Sequence, residues 1–144
     1  MGIADSMGIS RSALQAERLR MDVAANNIAN MNSTRSTDGG PYRRQSVLLR
    51  AADGGTDFGT VLAGRSGASG GVQVAGLTSD TTAPRRVYEP SNPDAGPDGF
   101  VQYPNVDVTL ELTDMISASR SYQANVTALN AIKTMAEHAL EIGR

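Results

Sequence analysis

NVDVTLELTDMISASRSYQANVTALNAIKTMAEHALEI, residues 105–142, holds neither a glycine nor a proline. Proline removes a backbone donor and glycine costs about 1 kcal/mol in a helix interior, so a long run free of both reads as one helix. Asn105 or Asp107 is placed to cap its start, with Asp107, Glu111 and Asp114 near the positive end of the helix dipole. Leu112, Met115, Tyr122, Val126, Leu129, Ala136 and Leu140 recur at spacings of three, four and seven, which places them on one apolar stripe. Ile116 and Ile132 broaden the stripe, and Gly143 is a natural stop.

Working outward, a second run without glycine or proline extends from Ile9 to Asp38. It predicts a helix from about Ile3 to Ile28. Met7, Leu14, Met21 and Ile28 repeat every seven residues, with Ile3, Ala24 and Met31 on the flanking seam. A sevenfold repeat marks a coiled-coil-like stripe, although Ser10 and Glu17 interrupt its second seam. The breakers lie in between: all six prolines fall from Pro41 to Pro104, and twelve of the fifteen glycines from Gly39 to Gly99. Val47-Leu48-Leu49, Val72-Gln73-Val74 and Arg86-Val87-Tyr88 are expected strands. Asp38-Gly39, Asp53-Gly54 and Asp98-Gly99 are expected turns, and residues 64–71 a flexible Gly/Ser loop. The expected fold is mainly α with a small β-rich insert, the terminal helices pairing as a coiled-coil-like hairpin. The organisation is an N-terminal helical arm over 1–34, a Gly/Pro-rich insert over 35–104 and a C-terminal arm over 105–144.

The core such a chain can build is thin. Leu, Ile, Val and Phe make up just under a fifth of its 144 residues, and tryptophan is absent. With a net charge of only −2, this composition points to a chain that folds fully when it buries surface against partners. Residues 32–90 carry seven bases and five acids, and residues 91–144 seven acids and three bases. That asymmetry is too slight to imply nucleic acid or a membrane surface as partner. The absence of cysteine excludes disulfides, thiolate metal sites and cysteine nucleophiles. No signal peptide and no stretch of transmembrane length is visible, so the expectation is a cytoplasmic chain or one exported without a cleaved signal.

The chemistry-bearing residues are few. Asn26, Asn27 and Asn30 lower helix propensity within little more than one turn. They are either exposed amides at a fraying end or amides that hydrogen-bond across subunits and fix register, with Gln123, Asn125 and Asn130 as complementary groups. The glycine-rich loop lacks the Gly-Lys-Ser/Thr ending of a phosphate loop. His138, the single histidine, sits where it complements a helix dipole. Asp107, Glu111 and Asp114 read as helix-start acids more readily than as metal ligands. Arg43-Arg44 and Arg85-Arg86 lack the aromatic-interleaved surface of a nucleic-acid binder. No nucleophile–base pair emerges, so neither an enzyme nor a cofactor or metal site is expected. A self-contained helical protein-binding module remains the alternative to an assembling subunit.

Three stretches carry a resemblance: residues 24–33 (AANNIANMNS), 39–45 (GGPYRRQ), and 98–107 (DGFVQYPNVD) continuing through 115–126 (MISASRSYQANV). They resemble the flagellar basal-body rod protein family of bacteria, in its proximal-rod type. The resemblance implies export through the flagellar type III apparatus without a cleaved signal, and helical assembly into a periplasm-crossing rod. It implies other rod subunits, the rod-base adapter and copies of the chain itself as partners. It also places Asn26, Asn27, Ile28, Ala29, Asn30, Tyr122, Gln123, Asn125 and Leu129 in subunit packing. Met7, Leu14, Met21, Met115 and Val126 join that set from the apolar stripes.

Overall fold

The computed structural model describes residues 2–36, 39–52 and 70–142. Two long helices flank four short strands. Helix α1 spans Ile3–Ala29, strands β1 to β4 span Gln45–Ala51, Val72–Ser79, Arg85–Tyr88 and Phe100–Tyr103, and helix α2 spans Val108–Ile142. The mainly helical fold with a small β insert is thus the one expected, with boundaries within one residue for α1 and within three for α2. The Asp53-Gly54 turn, Asp38 and most of the 64–71 loop lie outside the described residues.

Both helix starts are fixed locally. The Gly2 amide donates to the Asp5 carboxylate at 2.8 Å, tying down the first turn of α1. Of the two candidate caps for α2, Asp107 does the work: its carboxylate accepts from the Thr109 amide at 2.8 Å, and its carbonyl accepts from the Glu111 amide.

The strands form two two-stranded sheets, β1 with β2 and β3 with β4. Ala52 N donates to Gly71 O and Asp80 N to Arg44 O, so β1 and β2 run antiparallel. Strands β3 and β4 are antiparallel in the register Arg85↔Tyr103, Arg86↔Gln102, Val87↔Val101 and Tyr88↔Phe100. Side chains alternate across a strand, and Val87 and Val101 accordingly occupy the inward face, with Val101 at 1% exposure. Arg86, Tyr88, Phe100 and Gln102 point to solvent. There the Tyr88 and Phe100 rings meet edge to face at 5.3 Å, and the Arg86 guanidinium lies 4.8 Å from the Phe100 centroid while pairing with Asp98. Gly99 closes the expected Asp98-Gly99 turn at φ +73°, and a Cβ there would approach Tyr88 Cε2 to 2.8 Å.

The chain divides into two compact units. One comprises residues 1–19, 48–76 and 117–144, the other 20–47 and 77–116. In the first, the buried residues are small: Ser10, Ala16 and Ala118. Small side chains permit close backbone approach but bury little apolar area. Ser12 fastens α1 to the start of β2 in this unit, its hydroxyl donating to Ile9 O and accepting from the Val72 amide at 3.1 Å. The second unit buries Val23, Ala24 and Val101 together with two polar side chains, Asn27 and Glu111.

Candidate assembly interface

In the second unit the three asparagines at the end of α1 separate by face. Asn27 is 1% exposed, and its carboxamide makes the four bonds open to it. Its Nδ2 donates to Gln45 O at 2.8 Å and to Glu111 Oε2 at 2.9 Å. Its Oδ1 accepts from the Gln45 amide and the Tyr42 hydroxyl, both at 2.9 Å. Two donors and two acceptor sites are the full capacity of an amide. One residue therefore ties α1 to the first residue of β1 and to the first turn of α2. Asn26 and Asn30 instead pair with each other along the outside of the helix, Asn30 Nδ2 to Asn26 Oδ1 at 2.6 Å, and the Ser33 hydroxyl extends the ladder.

Glu111 is the other centre of this hub. It is 1% exposed, so its charge requires compensation. Arg44 supplies it through a close Nε contact to Oε1. The same guanidinium donates to Ser46 Oγ at 3.0 Å and approaches Asp114 at 3.5 Å. Burial, with the nearby Glu111 charge, pushes the Tyr42 phenol above its ordinary value. Among the described residues no buried side-chain polar atom lacks a partner. Glu111 is thus more than a helix-start acid, and no group of three metal-ligating side chains occurs among the described residues. Arg44 is committed to this cluster, Arg86 to Asp98 and Phe100, and Arg85 lies over the Tyr103 ring at 5.9 Å.

The bonds of Asn27 are made within the chain. Asn125 bonds back to Ser121 O along its own helix, and Gln123 is exposed. Asn26 and Ala29 are exposed, whereas Met7, Leu14, Met21, Ile28 and Asn30 are half-buried. On α2, Met115, Tyr122, Asn125, Val126 and Leu129 are also half-buried. Beyond Ala118 no described residue of α2 is buried. Leu110, Leu112, Ile116, Met135 and Leu140 are 47% to 76% exposed. Leu110 and Met135 lie off the stripe read from spacing. Exposed apolar groups in such numbers mark an interaction surface, and no helix among the described residues is long and apolar enough to cross a membrane.

Comparison with known proteins finds matches at both ends of the chain. Residues 7–35 match the flagella basal body rod protein family, and residues 98–142 match the C-terminal region of the flagellar basal body rod FlgEFG proteins. Flagellar basal-body rod protein FlgC of Bacillus subtilis (strain 168) is 45% identical over 96% of this chain and 97% of its own length. The chain belongs to the FlgC family of flagellar basal-body rod proteins. FlgC of Escherichia coli O157:H7 is 41% identical with both chains fully covered, and FlgC of Aquifex aeolicus is 33% identical over 98% of this chain. As a FlgC-family member it is a structural subunit of the basal-body rod, and the resemblance read from the asparagine run and the residues around Pro104 is borne out. What sequence reading missed is the Glu111 hub. Its one local signal was an acid placed a turn inside the helix rather than at its cap.

Proposed function

We propose that this chain is a proximal-rod subunit that assembles helically with copies of itself, with other rod subunits and with the rod-base adapter. The rod then crosses the periplasm as a torque-transmitting shaft, its subunits exported through the flagellar type III apparatus without a cleaved signal. One observation carries the reading most directly: beyond Ala118, α2 fully buries no described residue within its own chain, leaving Tyr122, Val126, Leu129 and Ile132 half-buried and Met135 and Leu140 exposed. In a single subunit that stripe is costly; against the α1 and α2 helices of neighbours it becomes the coiled-coil-like inner layer. The packing set is Met7, Leu14, Met21, Asn26, Ile28, Ala29, Asn30, Met115, Tyr122, Gln123, Asn125, Val126 and Leu129, with Asn27, whose amide bonds lie within the chain, holding α1 in place behind it. Heterologous contacts between such faces do not close on themselves and generate an open helical assembly.

The test is Tyr122→Asp and Leu129→Asp in a strain whose own copy is deleted. Both side chains are half-buried on α2, so the level of folded protein is measured beside assembly. Loss of rods and motility with normal levels of the protein supports the proposal. Swimming cells with complete basal bodies would remove α2 from the interface.

A further inference from the structure

We propose that Glu111 is a positioning residue for assembly, acting through Asn27 to fix the rotation of α1 and so the face offered to a neighbouring subunit. The inference rests on the rod-subunit reading and adds the means by which one chain sets its own docking face. Asn27 meets the Gln45 peptide group as a pair, donating to its carbonyl and accepting from its amide. That pairing leaves one amide hydrogen, which Glu111 Oε2 takes. Successive residues in a helix are separated by roughly 100°. Rotation of α1 by one residue one way would put the apolar Ile28 among four polar partners, and the other way would draw Asn26 out of its pairing with Asn30. With Asn27 held inward, Ala25, Asn26 and Ala29 face solvent, two of them small enough for another helix to approach closely.

A buried ion pair such as Glu111–Arg44 adds little stability over an apolar pair of the same volume, whereas it strongly selects one arrangement. Arg44 is itself 28% exposed and keeps Ser46 and Asp114 as partners. Losing Glu111 therefore frees the rotation of α1 more than it unfolds the unit.

The experiment uses a strain lacking its own copy, complemented by the full chain carrying Glu111→Leu, Glu111→Gln or Val101→Ala. Basal bodies with complete rods are counted, and thermal unfolding of each purified chain is measured. Glu111→Gln keeps an acceptor for Asn27, and Val101→Ala weakens the β3–β4 core without touching the hub. Glu111→Leu is expected to lower the count by about tenfold or more, with Glu111→Gln within about twofold of wild type. Val101→Ala assembles despite its lower melting midpoint. A normal count for Glu111→Leu overturns the proposal, as do counts that simply follow the melting midpoints of the three variants. If the wild-type chain itself restores no rods, it is the rod-subunit reading that fails.

A cysteine scan gives a second readout that needs no change at Glu111, because the chain has no cysteine of its own. In isolated basal bodies, Asn26→Cys and Ala29→Cys are expected to crosslink to neighbouring subunits while Val23→Cys, buried within its own chain, does not. Equal crosslinking from Val23→Cys overturns the fixed rotation.

Discussion

Replacing Asn27 by alanine removes four hydrogen bonds at once, and the structure says which losses matter. Gln45 and Tyr42 are half-buried, so their freed groups regain water. Glu111 Oε2 does not, since Glu111 is 1% exposed. An orphaned buried acceptor costs about 1–3 kcal/mol, and more when it is charged. The void left by the carboxamide adds about 1 kcal/mol, giving a loss of about 2–4 kcal/mol in all. Domains of this size carry about 5–15 kcal/mol of stability, so the loss is a large fraction of the whole. At about 3 °C per kcal/mol, the melting midpoint should fall by about 6–12 °C. Thermal and urea unfolding of the purified full chain, followed by far-ultraviolet circular dichroism, measures it. A double-mutant cycle with Glu111→Ala should return a coupling of about 1–2 kcal/mol. A loss below about 1 kcal/mol, or no coupling, would refute the hub as the fastening of α1 to α2.

Other expectations are equally direct. Asp107→Ala removes the α2 cap and should cost about 1 kcal/mol in urea unfolding; an unchanged midpoint would mean that Asn105 takes over. Gly99→Ala forces a side chain into a left-handed turn and against Tyr88, and should cost about 1–2 kcal/mol or more, read from the same transition. The folded chain keeps Tyr42 protonated at pH values where the unfolded chain, at the ordinary 10.0, has released the proton. Stability is therefore intact below pH 10 and declines as pH rises through and above it. Tyr103, raised chiefly by its bond to Glu89, acts in the same direction, so Tyr42→Phe should flatten part of the decline in alkaline unfolding series. Amide hydrogen exchange on the dilute chain should be slow in α1 around Asn27 and at the start of α2, and fast from Ser119 onward. Uniform protection along α2 would favour a self-contained binding module.

Local signals carried the helices into view. A run without glycine or proline together with the cap choice gave α2, and the sevenfold repeat gave α1 from Ile3 to within a residue of its end; the choice of Asp107 as cap lay between two residues. The sevenfold repeat of Met7, Leu14, Met21 and Ile28 marked side chains that the single chain leaves half-buried. Strand β4 escaped notice because Phe100–Tyr103 is only four residues long, squeezed between Gly99 and Pro104. It is a strand because β3 pairs with it. Asn27 stood out by its poor helix propensity, but its partner Glu111 lies 84 residues away. No local pattern joins the two.

Deleting the gene and imaging detergent-extracted basal bodies by electron microscopy, with and without plasmid complementation, addresses the whole account. Membrane rings lacking rod, hook and filament are expected in the deletion strain, with complete structures restored by the wild-type chain. Complete basal bodies on swimming deletion cells would contradict it.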